Sequence, residues 1–173
     1  MAANATVTLL PDAGPLITLA YADALDLLLK SGWSVALVDM VLQEVTRNET
    51  PTSERIAAWA RDNHIPVLET RIYHRYLQAG AALPARKANL GELAIQEAMS
   101  GFGLATEQTG VFLFEDHKIA RASFLLPDNC RKVSTRAFLL FLEHQGLIDS
   151  AAEVERRAIL AGRQFSQIRF PPE

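Results

Sequence analysis

Five carboxylates fall where a chain of this pattern turns at the ends of its strands: Asp12, Glu44, Glu92, Glu115 and Asp116. Asp12 follows the apolar run Val7 to Leu10, inside the elbow Pro11-Asp12-Ala13-Gly14-Pro15, and Glu115 and Asp116 follow the run Val111 to Phe114. Glu44 lies a little more than one turn into a helix expected after Asp39. Glu92 stands in the first turn of a helix opened by Asn89-Leu90-Gly91, where Gly91 leaves room beside it. Taken singly, each acid has an ordinary use. Asp12, Asp39 and Asp116 can accept hydrogen bonds from free amides at a helix start. Glu92, three residues after Asn89, has the spacing of a capping box, and Glu44 can be a solvated helix residue.

As a set they ask for more. Ligands of parallel sheets collect beyond the carboxyl ends of the strands, and four or five carboxylates converging there repel unless protons or a cation occupy the gap. The donors are all oxygen, Cys130 is the only cysteine, and the four histidines show no ligand spacing. Mg²⁺ or Mn²⁺ therefore fits better than Zn²⁺. Such an ion keeps several waters, lowers the pKa of one and stabilises charge on a phosphodiester, so metal-assisted phosphodiester hydrolysis is the chemistry these residues predict.

The elements that must position the acids alternate. Strand-length apolar runs occupy Thr6 to Leu10, Ser34 to Val38, Ile65 to Leu68, Val111 to Phe114 and Arg131 to Ser134. Between them lie segments of helical spacing, which predicts an α/β fold, a mostly parallel sheet covered by helices. Helices are expected from Pro15 through Leu25 towards Gly32, after Asp39, from Pro51 to about Asn63, over 70–79 and from Asn89 to about Ser100. Others are expected after Asp116, from Ser134 or Thr135 to Gly146, and from Ser150 to Gly162. Residues 137–142 are apolar almost all round, which predicts burial in the core or against another chain.

At 173 residues and 49% hydrophobic content the chain fits one domain, read as 1–164 with a loosely held tail at 165–173. No run of 18 apolar residues occurs and MAANATV lacks a signal-peptide layout, so the expectation is a cytoplasmic protein with no membrane partner. The net charge of −3 does not advertise a polyanionic partner, and local cations must carry any such contact. Candidates for phosphate are Arg86 and Lys87, then Lys118 and Arg121, then Arg131, Lys132 and Arg136, while Tyr73 and Tyr76 can stack on bases.

Five segments carry a likeness: PDAGPLITLA (11–20), VALVDMVLQEVTR (35–47), NLGELAIQEA (89–98), VFLFEDHKIARA (111–122) and TRAFLLFLEHQGLI (135–148). In order and spacing they resemble the PIN domain family, particularly the VapC-like toxin ribonucleases. The resemblance implies a three-layer α/β/α sandwich, cleavage of RNA with Mg²⁺ or Mn²⁺, a homodimer and a small antitoxin protein as partner. It implies catalytic roles for Asp12, Glu44, Glu92 and Asp116, and places Asp12, Glu92, Asp116 and Glu115 about the metal. Two positions depart from the family pattern. Gly14 stands where Ser or Thr is common, and Phe114 where a Thr or similar residue precedes the last acids. With the apolar stretch 137–142, these motivate a second reading, a catalytically silent PIN-like binding module.

Overall fold

The computed structural model describes residues 6–79, 90–105, 107–115 and 126–163. Four strands form the main sheet: β1 (Thr6–Pro11), β2 (Ser34–Val35), β5 (Gln108–Phe114) and β6 (Cys130–Ser134). Their order is β2-β1-β5-β6 and every pair is parallel. A second, two-stranded parallel sheet joins β3 (Leu37–Val38) to β4 (Val67–Leu68). Parallel strands must be linked by crossovers that cover the sheet, so their apolar runs are buried on both faces. Leu9, Leu10, Phe112 and Leu113 accordingly have no solvent exposure.

The helices complete a three-layer α/β/α sandwich: α1 (Ala13–Tyr21), α2 (Asp39–Thr46), α3 (Pro51–Asp62), α4 (Arg71–Ala79), α5 (Leu90–Phe102), α6 (Thr135–His144) and α7 (Ala151–Leu160). Gly110 marks one close approach of helix to sheet. A Cβ there would stand 3.3 Å from Met99 and Phe102 of α5 and 3.1 Å from Cys130 Sγ on β6. Cys130 is thus the small buried hydrophobe its isolation in the sequence predicts.

Several boundaries differ from those expected. Ser34 to Val38 is two strands: the Ala36 amide still donates to Leu9 of β1, but the Leu37 amide donates to Pro66 and aligns β3 with β4. The first helix starts at Ala13 and holds Pro15 as its third residue, where a missing N–H costs nothing because the first amides of a helix lack intrahelical acceptors. It also ends early. Asp23 turns the chain at φ 52, a left-handed conformation that aspartate tolerates, and Leu25–Leu29 forms a separate 3₁₀ helix. Gly101 lies inside α5, which runs on to Phe102. In α6, Phe138, Leu139 and Leu142 are buried, whereas Leu140 is 41% and Phe141 36% exposed. The helix is therefore amphipathic, with Phe141 stacked on Trp33 at a centroid distance of 5.2 Å.

Candidate acidic site at the carboxyl end of the sheet

In the order β2-β1-β5-β6 the chain leaves β1 in one direction, to β2, and returns on the other side at β5. The gap between β1 and β5 is thus the switch point of the sheet, where connections diverge and leave a crevice at the carboxyl ends. Asp12 and Glu115 are the residues that follow these two strands. Pro11 aligns with Leu113, and the Asp12 amide donates to the Leu113 carbonyl at 2.9 Å, so the two acid-bearing chain ends leave the sheet side by side.

Asp12 occupies the N-cap position of α1, with φ −77 and ψ 176, yet its side chain makes no capping hydrogen bond. Capping therefore does not account for this carboxylate. Glu115 is held differently. Its Oε2 accepts from Thr18 Oγ1 at 2.9 Å and from Arg163 Nη2 at 3.3 Å, while Arg163 Nε donates to Thr18 Oγ1 at 2.9 Å. Gly14 lies against the same carboxylate: a Cβ there would be 3.2 Å from Glu115 Oε2 and 3.3 Å from its Cβ. The Glu115 side chain thus fills the space that a side chain at position 14 would take.

Glu44 and Glu92 meet across α2 and α5. The helix α2 begins directly at the end of β3, whereas α5 runs back before feeding β5, so the N-terminal turns of both point towards the carboxyl end of the strands. The Gly91 amide donates to Glu44 Oε1 at 3.1 Å, and a Cβ on Gly91 would fall 2.7 Å from Glu44 Oε2. The room beside Glu92 is thus occupied by the Glu44 carboxylate. Burial pushes the Glu44 carboxyl above the ordinary glutamate range; the Gly91 amide and Arg47 pull it down, and the Glu92 charge pushes it up.

Asp116 lies outside the described residues, as do Arg86, Lys87, Lys118, Arg121 and the Asn89 of the expected capping box. Of the remaining basic candidates, Lys132 is half-buried on β6, and Arg131 donates through Nη1 to the carbonyls of Asp128 (2.7 Å) and Cys130 (2.9 Å). Arg136 bonds Glu155 through its Nε and Nη2, each at 3.0 Å, a two-point pair that ties α6 to α7. Tyr73 and Tyr76 stack on each other at 6.1 Å, and the Tyr73 hydroxyl donates to Gln43 at 3.4 Å. Phe114 packs 5.9 Å from Phe112.

Two residues of the site escaped the reading of the sequence. Thr18 left a faint signal, a hydroxyl on the otherwise apolar buried stripe of α1. Arg163 left none, since its partners lie 145 and 48 positions away.

Fold and site together define a parallel-sheet α/β protein with Asp12 and Glu115 at the ends of the two strands that flank its switch point, and with Glu44 and Glu92 as a separate pair between α2 and α5. No protein-family model matches the chain, and no curated protein matches it.

Proposed function

We propose that the protein is a Mg²⁺- or Mn²⁺-dependent endoribonuclease of the PIN type, the toxin of a toxin–antitoxin pair, acting as a cytoplasmic homodimer. One observation carries the reading: Asp12 and Glu115 follow the two adjacent strands that flank the switch point. The donor chemistry suits a hard divalent cation, being carboxylate oxygens throughout, although among the described residues no three acidic, histidine or cysteine side chains are grouped to hold one.

In this reading Asp12, Glu92 and Asp116 hold the ion, with Glu115 beside them. A bound ion supplies a more acidic water and a positive charge against the phosphodiester. Glu44, whose carboxyl burial holds above the ordinary range, is matched to take a proton at Oε2 while the Gly91 amide fixes Oε1. The basic residues Arg86, Lys87, Lys118, Arg121, Arg131 and Lys132 align the RNA backbone.

A second reading, the silent PIN-like module, draws on the engagement of Glu115 Oε2 by Thr18 and Arg163, which leaves that oxygen to an internal cation. Calorimetric titration with MnCl₂ and cleavage of a panel of single-stranded and structured RNAs separate the two. The nuclease takes up Mn²⁺ with micromolar affinity, and Asp12→Asn abolishes that uptake and lowers cleavage by about 100-fold or more. Absence of both uptake and cleavage, with Asp12→Asn indistinguishable from the wild type, would leave the silent module standing.

A further inference from the structure

The contact that binds the end of the last helix to the site has a definite chemical direction. Arg163 sits just past α7, where Gly162 turns the chain at φ 114 and the Arg163 amide returns to the Ala158 carbonyl at 2.9 Å. This cap reverses the backbone so that the guanidinium is directed at α1. From there Nε donates to the Thr18 hydroxyl, that hydroxyl donates to Glu115 Oε2, and Nη2 reaches the same oxygen, closing a ring of three bonds. Thr18 is 1% exposed and the Arg163 and Glu115 side chains 20% and 10%, so water competes little for these groups. A bond from a cation to a hydroxyl that passes its own proton to a carboxylate is polarised in one sense throughout and holds all three rotamers.

We infer that Arg163 is a positioning residue of the acidic site, acting through Thr18: it fixes Glu115 Oε2 against Gly14 and offsets one negative charge where β1 and β5 end. This inference rests on the nuclease reading of the site. It has two consequences that oppose each other in measurement. Arg163 lowers the affinity of the site for a divalent cation, because like charges repel, and it raises turnover, because Glu115 is kept in one orientation.

The test compares wild type, Arg163→Ala, Arg163→Lys and Thr18→Val, with MnCl₂ affinity read by calorimetry and kcat read on RNA at saturating Mn²⁺, each per folded molecule from the unfolding curve. Arg163→Ala is expected to bind Mn²⁺ about fivefold more tightly and to lose about tenfold or more in kcat. Arg163→Lys, which keeps the charge without the two-point geometry, retains wild-type Mn²⁺ affinity with an intermediate kcat. Thr18→Val lowers kcat while leaving affinity near the wild-type value. Unchanged affinity and kcat in Arg163→Ala overturn the inference, as does a parallel weakening of both, which is the signature of general structural damage. A wild-type protein that takes up no Mn²⁺ instead overturns the nuclease reading, and the inference with it.

Discussion

Glu44 shows how much of a site a single carboxylate can report. Its carboxyl is held above the ordinary glutamate range, first because burial disfavours the charge and also because Glu92 is near, against the opposing Gly91 amide and Arg47. An acid whose pKa is raised on folding binds its proton more tightly in the native state than in the unfolded one. Stability from this group is therefore present below the unfolded value and is lost as pH rises through the window between the unfolded and folded values. At neutral pH the charged Glu44 destabilises the fold. Glu44→Gln keeps an acceptor for the Gly91 amide and removes the charge, so it is expected to melt at a higher temperature than wild type at neutral pH. The two converge below the ordinary glutamate range. Thermal unfolding from about pH 4 to about pH 8 checks this, and a gap that stays constant across the series would mean that Glu44 is not its source. At this scale the sequence was legible for residue type and for the element each residue sits on: Asp12 at the end of β1, Glu44 within α2 and Glu92 in the first turn of α5. It was silent on contacts: that Gly91 makes way for Glu44 and Gly14 for Glu115 depends on chain segments far apart in sequence.

Elements were legible where hydrophobic period and caps agree. Thr50 and Ser53 form a reciprocal cap before Pro51, and Ser150 caps α7 at the Glu153 amide, both at helix starts expected from the sequence. Boundaries failed where a partner strand decides them. Ser34 to Val38 is one apolar run, but its first half pairs with β1 and its second with β4, and periodicity records burial without naming the neighbour. Asp39 belongs to the same lesson. Its spacing predicts a cap, yet it is the first residue of α2, 7% exposed, with Oδ1 accepting from the Met40 amide at 2.7 Å and the Thr70 hydroxyl at 2.8 Å. Its Oδ2 accepts from the Thr70 amide at 2.7 Å. The side chain thus pins the segment after β4 to the helix that carries Glu44, joining the small sheet to the site. Asp39→Ala leaves a buried amide and hydroxyl without this acceptor and is expected to cost about 3 kcal/mol, measured by denaturant unfolding. A loss under about 1 kcal/mol would show that solvent reaches and satisfies Thr70 once the carboxylate is gone.

Over the whole molecule the charge is −3, so under the proposed nuclease reading attraction to RNA would have to come from a few placed cations and not from a general field. That makes the nuclease reading measurable through salt alone. Each phosphate neutralised on a single strand releases counterions and contributes about −0.7 to the slope of log affinity against log salt concentration. If all of Arg86, Lys87, Lys118, Arg121, Arg131 and Lys132 engage phosphate, the slope approaches about −4, from roughly six contacts at that increment. Arg131 already donates to two backbone carbonyls and gives up part of its capacity to do so. Binding of a non-cleavable single-stranded RNA to Asp12→Asn protein, followed by fluorescence anisotropy over a salt series, is therefore expected to give a slope between about −3 and about −4. Lys132→Ala should make that slope shallower by about 0.7 and weaken binding alike for RNAs of different sequence, because a phosphate contact positions the strand without reading its bases. A slope near zero would remove these cations from the interface and leave the acidic site without an electrostatic route for its substrate.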